Sequence, residues 1–238
     1  MTTLGDLRVK VFADGADLAG MIEMRANPLI RGFTTNPTLM RKSGVSDYRA
    51  FARAVLAAIP DRPISFEVLS DDFELMHRQA VELSGWASNV FVKIPITDTH
   101  GRSSGELLRR LAGEGIRLNV TAILTNEQVA VAAAAVSASP AAIISVFAGR
   151  IADTGRDPVP LMTQALEILR PYPNIELLWA SPRELLNIFQ ADEIGCHIIT
   201  ASTDILKKLD LVGKGLLEFS LETVQMFVRD AQLAGLDL

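Results

Sequence analysis

Short apolar, β-branched runs alternate with amphipathic stretches along almost the whole chain. The runs Val9–Ala13, Gly32–Thr34, Ile64–Val68, Val90–Ile94, Arg117–Thr121, Ala142–Val146, Ile175–Ala180 and Cys196–Thr200 read as strands. Several are apolar at consecutive rather than alternate positions, which suits strands covered on both faces by helices. Between them, Tyr48–Ala58, Phe73–Ser84, Gly105–Ala112, Asn126–Val136, Val159–Leu169 and Pro182–Ala191 place apolar residues at helical spacing. Successive strand starts lie about 27 residues apart, close to the repeat of an eightfold α/β barrel. The pattern predicts an α/β fold, a (β/α)8 TIM barrel forming a single domain over residues 1–238. An open doubly wound sheet is the alternative.

Local punctuation supports this parsing. Thr125-Asn-Glu-Gln128 has the form of a capping box, and Gly113 and Gly115 end one helix just before the strand at Arg117. The tail, residues 214–238, carries Leu217, Leu221, Val224 and Val228 at helical spacing, widened by Phe219 and Phe227. It reads either as the last helix of the barrel or, coming after the eighth unit, as an extra C-terminal helix that docks on a neighbouring subunit.

Composition narrows the classes. Apolar residues make up 49% of the chain and charged residues 21%, as in ordinary globular enzymes. The net charge of −5 argues against a general nucleic-acid binder, which needs a basic surface. The single cysteine, Cys196, excludes a disulfide framework within the chain. The first residues lack a basic region followed by an apolar stretch. The one long uncharged run, Val129–Gly149, is alanine-rich and broken at Pro140, so no membrane span and a cytoplasmic location are expected. His77, His100 and His197 are scattered without metal-ligand spacing, and neither Ala148-Gly-Arg150 nor Thr154-Gly-Arg156 forms a dinucleotide or P-loop fingerprint. His77 is expected in solvent and His197 as a satisfied barrel histidine.

In such a barrel the catalytic groups sit at the carboxyl ends of the strands. Those ends carry Asp14, Thr34, Glu67, Lys93, Asn119, Thr121, Ser145 and Ser181 in succession, with Arg150 and Arg183 just beyond. Singly, each has a bland reading: Asp14 as a turn residue before Gly15, Lys93 reaching to water, the arginines as surface charges. Glu67 is harder to dismiss, because an interior carboxylate is costly without a partner. Ser145 and Ser181 have no histidine arranged for nucleophilic catalysis, whereas an inward lysine offers an amine that attacks a carbonyl. The two arginines together resemble a phosphate clamp.

The segments Gly32-Phe-Thr-Thr-Asn-Pro-Thr38, Phe91-Val-Lys-Ile-Pro95, Leu118-Asn-Val-Thr121, Ile144-Ser-Val-Phe-Ala-Gly-Arg-Ile151 and Ala180-Ser-Pro-Arg183 resemble, in order and spacing, the transaldolase family. The likeness is strongest to its short members, a group that includes fructose-6-phosphate aldolases. The resemblance implies a Schiff-base enzyme without metal or organic cofactor, acting on sugar phosphates. Lys93 would attack the ketone, and Asp14 would serve as base and acid at the C4 hydroxyl. Glu67 would move protons through a water shared with Thr121. Asn36, Asn119 and Ser145 would hold substrate hydroxyls, with Thr34 and Phe147 lining the pocket. Arg150, Ser181 and Arg183 would bind phosphate.

Glu67 and Phe147 are similar to the transferring branch; the aldolase branch resembles Gln and Tyr at these positions. Transaldolase activity on fructose 6-phosphate or sedoheptulose 7-phosphate is therefore the expectation, with simple aldol cleavage as the alternative. Gly15-Ala16, Val146 and Pro182 depart from the family pattern, so a transferase building a longer sugar phosphate stays open. A silent sugar-phosphate-binding barrel or an isomerase stays open too. The resemblance also implies a homo-oligomer, a pentamer or paired pentamers forming a decamer.

Overall fold

The computed structural model describes residues 3–236. The ends of the segments read for a targeting sequence and for the helical tail lie outside the described residues. Eight parallel strands, β1 (Lys10–Asp14), β2 (Ile30–Thr34), β3 (Ile64–Glu67), β4 (Val90–Pro95), β5 (Leu118–Ile123), β6 (Ala142–Val146), β7 (Ile175–Trp179) and β8 (Ile198–Ser202), close into a barrel. Each strand pairs with the next, and β1 closes the ring against β8, with Phe12 opposite Thr200 and Asp14 opposite Ser202.

Alternation along the strands sorts the side chains into two compartments. Val11, Ala13, Ile144, Val146, Leu177 and Ile199 join the large core between barrel and helices. Their neighbours Phe12, Ile143, Leu178 and Ile198 form a separate buried cluster with Phe91 and Phe147, which fills the barrel interior. Gly32 makes room for this plug: a β-carbon there would lie 2.5 Å from the Phe12 ring. The site above therefore has an apolar floor.

The helices Tyr48–Ala58, Phe73–Ser84, Asn126–Val136 and Val159–Leu169 fall where periodicity puts them, and the capping box at Thr125 and Gln128 forms. The helix expected over 182–191 begins only at Leu186, because Ser181 takes φ +61° and Pro182 and Arg183 continue the loop. A helix at Leu18–Ala26 escapes the pattern, since it buries only Met21; Asp17 caps it, accepting from the Gly20 amide at 2.7 Å. The cover at β8 comes from Thr203–Leu206 and the following tight turn, through Ile205, Leu206 and Leu209. The tail helix, Leu216–Leu233, is accordingly not a barrel-covering helix, and it buries none of its residues. Among the described residues no helix is long and apolar enough to cross a membrane.

Candidate active site

The carboxyl ends of the strands gather most of the expected side chains at one mouth of the barrel. Lys93 enters from β4 and is only 6% exposed. Its Nζ lies 3.0 Å from Glu67 Oε2 on the adjacent β3 and donates to the Thr35 carbonyl at 3.1 Å. Glu67 is itself fixed from outside the barrel. The Tyr48 hydroxyl donates to the Glu67 carbonyl at 2.9 Å, and the Tyr48 ring packs edge-on against Phe66 and Trp86. Burial pushes the Tyr48 phenol up, so it stays a hydrogen-bond donor. A cleft of about 450 Å³ beside this cluster opens between the helices 48–58 and 73–84, outside the barrel mouth.

Asp14 stands at the end of β1. Its Oδ1 accepts from Thr34 Oγ1 at 2.7 Å, so the Thr34 hydroxyl serves the carboxylate. Burial raises the Asp14 carboxyl above its ordinary value, opposed by the positive charge of Lys93 and by the Thr34 hydrogen bond; the charge of Glu67 adds to the rise. The folded protein thus holds this proton more tightly than the unfolded chain. Its stabilising contribution is full below the ordinary value of 3.8 and is lost as pH climbs through the raised folded-state value. Replacing Asp14 with asparagine should consequently raise the melting temperature at pH 7, by roughly 2–4 °C. The gain should vanish as pH is lowered towards 4. Equal melting temperatures at pH 7 would show that the buried charge costs nothing.

A second polar chain crosses the mouth. Ser145 Oγ donates to Asn119 Oδ1 at 2.7 Å, and Asn119 Nδ2 donates to Ser65 Oγ at 2.9 Å. Thr121 is buried beside it, and its Oγ1 has no hydrogen-bond partner among the described residues. The next residue, Ala122, takes φ +62° where the register between β5 and β6 shifts, so the strand bends immediately after Thr121. Asn36 uses its side-chain oxygen to cap the helix Pro37–Lys42, leaving its amide nitrogen as the free donor.

The arginine end is built on a close approach. Gly149 packs so tightly under the loop after β7 that an added β-carbon would lie 1.5 Å from the Ser181 carbonyl oxygen and 3.3 Å from Arg183 Nε. Arg150 lies over the Phe147 ring at 5.5 Å. Arg183 donates from Nε to Asp153 Oδ1 at 2.9 Å and pairs through Nη2 with the other carboxylate oxygen. Hydrogen bonding from Arg183, with the charge of Arg150 adding, holds Asp153 below the usual carboxylate range. Arg183 is thus engaged by the Asp153 carboxylate at an exposed rim, while Arg150 acts on it only through its charge.

Sequence reasoning missed Ser65, Thr35 and Thr200. The Thr200 hydroxyl lies 2.5 Å from Thr34 Oγ1, and both residues are buried. The signal was present: Ser65 and Glu67 share one face of β3, and Thr200 and Ser202 share one face of β8. His77, expected in solvent, is half-buried against Glu114 at 2.9 Å. His197 is satisfied as expected, accepting the Leu177 amide at 3.0 Å, and burial lowers its pKa.

A closed (β/α)8 barrel with a buried lysine, two carboxylates and a ring of hydroxyls at its C-terminal mouth has the architecture of a barrel enzyme. The chain belongs to the transaldolase/fructose-6-phosphate aldolase family, whose model matches residues 11–237. A probable transaldolase of Dehalococcoides mccartyi is 32% identical over 215 residues, covering 89% of this chain and 96% of the relative. One of a Thermoanaerobacter species is 35% identical over 233 residues, covering 97% and 100%. Among solved structures, a 2,3-dimethylmalate lyase superposes with a TM-score of 0.54 at 15% identity, covering 99% of this chain and 90% of that one. A structure titled native KDPGal gives 0.51 at 14%, covering 82% of each. At those identities the two structures speak for the fold alone.

Proposed function

We propose that this chain is a transaldolase, moving a three-carbon dihydroxyacetone unit from a ketose phosphate to an aldose phosphate through a Schiff base on Lys93. The observation that carries the reading is the Lys93 amine, buried at the mouth within 3.0 Å of Glu67 and near enough to Asp14 for its charge to act on that carboxyl. Lys93 first passes a proton to Glu67, 3.0 Å away. The freed amine adds to the C2 ketone, and the carbinolamine loses water with Glu67 exchanging protons through a water that Thr121 also holds. Asp14 then takes the C4 hydroxyl proton as the C3–C4 bond breaks. The bonding electrons pass into the imine, leaving an enamine on Lys93 and releasing the shortened aldose phosphate.

The reverse sequence on a new aldehyde forms the new bond, with Asp14 returning its proton to the alkoxide; water then frees Lys93. Asn36, Asn119 and Ser145 hold the hydroxyls of the bound unit. Arg150, Ser181 and Arg183 bind phosphate, and Arg183 has to exchange Asp153 for it. Glu67 and Phe147 favour transfer over release of free dihydroxyacetone. The test is to incubate the protein with fructose 6-phosphate, reduce with borohydride and weigh the intact chain, then repeat with an aldose phosphate acceptor. A three-carbon adduct trapped without acceptor, but diminished when the acceptor is added before the borohydride, supports transfer. Free dihydroxyacetone would favour the aldolase reading, and no adduct would sink both.

The tail helix supports assembly with further copies of this chain, as a pentamer or decamer. Leu216, Leu217, Leu221 and Phe227 are 83%, 89%, 58% and 62% exposed, an apolar face that a lone protomer leaves in water. Deleting residues 215–238 should yield monomers by light scattering while leaving the barrel folded. A full-length chain that is already monomeric would remove the proposal.

A further inference from the structure

The acid-base carboxylate is held by a hydrogen-bond chain whose polarity can be worked out. Thr34 Oγ1 has one hydrogen, which an ionised Asp14 accepts at Oδ1, 2.7 Å away. The same oxygen lies 2.5 Å from Thr200 Oγ1, so with the Thr34 hydrogen committed, Thr200 must be the donor of that bond. The chain runs from Thr200 on β8 through Thr34 on β2 to Asp14 on β1, crossing the inside of the barrel where the first and last strands meet.

Among the described residues the opposite polarity finds no acceptor at its Thr200 end. Were Asp14 to carry a proton and donate to Thr34, then Thr34 would donate to Thr200, and the Thr200 hydrogen would need a new acceptor. Among the described residues Thr34 is the only partner of the Thr200 hydroxyl. The layer beneath is apolar, with Phe12 opposite Thr200 across the seam and Ile198 below it on the same strand. An unpaired buried hydroxyl hydrogen is costly, so Asp14 accepts from Thr34. A proton on Oδ2 would leave Oδ1 accepting, but as a neutral and weaker acceptor, so the arrangement favours the carboxylate.

We propose that Thr200 is a positioning residue: through Thr34 it orients the Asp14 carboxylate and holds it in the ionised, proton-accepting form. This gives Asp14 a support from β8 against the burial that pushes its proton affinity up. The charged groups acting on Asp14 are Lys93 from β4, which favours ionisation, and Glu67 from β3, which opposes it. From β8 the nearest side chains, Thr200 and Ser202, are neutral. Thr200 needs no contact with substrate for this role. The proposal gives the proposed transaldolase chemistry its base, but the ionisation of Asp14 can be read without turnover.

The experiment is an infrared titration of the protonated-carboxyl band, with Asp14→Asn isolating the Asp14 contribution, on the wild-type chain, Thr200→Val and Thr200→Ser. Valine keeps the shape and removes the donor; serine restores it. Thr200→Val should titrate Asp14 at higher pH by roughly half to one pH unit, with Thr200→Ser close to wild type. Coincident wild-type and Thr200→Val curves would overturn the proposal. If the valine variant does not fold, Thr200→Cys, whose thiol is a far weaker donor, is read the same way. Borohydride trapping with fructose 6-phosphate on the same samples keeps the two questions apart. Failure of every protein to trap defeats the transaldolase reading, while the carboxyl titration still decides the role of Thr200.

Discussion

With Lys93 replaced by methionine, borohydride reduction in the presence of fructose 6-phosphate should leave the chain at its unmodified mass. Transfer to an aldose acceptor should fall by on the order of 10⁴-fold or more, because no other group at the mouth can form the covalent link. Methionine is chosen for its shape: it fills the space of a side chain that is only 7% exposed while removing the nitrogen. It also strips Glu67 of its ion-pair partner and Asp14 of the cation opposing its burial. Far-ultraviolet circular dichroism on the variant would then separate lost chemistry from lost structure. Arginine at the same position keeps the charge but forms no productive imine, and should be equally inactive. An adduct persisting in the methionine variant would move the covalent step to another amine and dismantle the assignment.

Changing Gly149 to alanine should lower stability by about 3 kcal/mol or more, read as a fall in denaturation midpoint. The added methyl would sit 1.5 Å from the Ser181 carbonyl oxygen, a backbone atom that no rotamer change can move aside. Ser181 is already at φ +61°, a conformation that residues with side chains rarely adopt, so its loop has little freedom left to yield. If the chain nevertheless folds, the loop must lift and carry Arg183 with it. The KM for phosphorylated substrates should then rise more than kcat falls. A variant as stable as the wild type, with unchanged KM, would mean that the loop after β7 tolerates displacement and does not set the arginine position.

How far the site could be read from sequence follows from what each contact depends on. Asp14, Glu67, Lys93, Asn119, Thr121 and Ser145 were legible because each is a polar residue at the inward parity of an apolar run near the carboxyl end of its strand, and a barrel sends all such ends to one mouth. The partners that tune them were not. The contact between Thr34 and Thr200 spans 166 residues and exists only because β1 closes on β8. The Arg183–Asp153 pair joins two loops, where no periodicity operates, and a lone sequence presents both residues as surface charges. The tail illustrates the limit in the other direction. Its periodicity correctly predicted a helix, yet amphipathicity alone cannot say whether an apolar face meets its own barrel or another copy. The helix at Leu18–Ala26 was invisible for the opposite reason, having almost no apolar stripe to show.

The seam between the first and last strands also bears on how the protein is made. During synthesis β1 emerges first and can pair early with β2, but its other edge finds its partner only when Ile198–Ser202 has been translated. For most of the time the ribosome is working, that edge is open to neighbouring nascent chains, a hazard for any fold closed by distant contacts. Lys93 and Glu67, on adjacent strands near the middle of the chain, can meet long before this. The contact between Thr200 and Thr34, by contrast, can form only when β8 is in place. If the proposed roles hold, a stalled or prematurely terminated chain would display the amine without the support of its proton acceptor, and pairing of β8 would be the step that arms the catalyst.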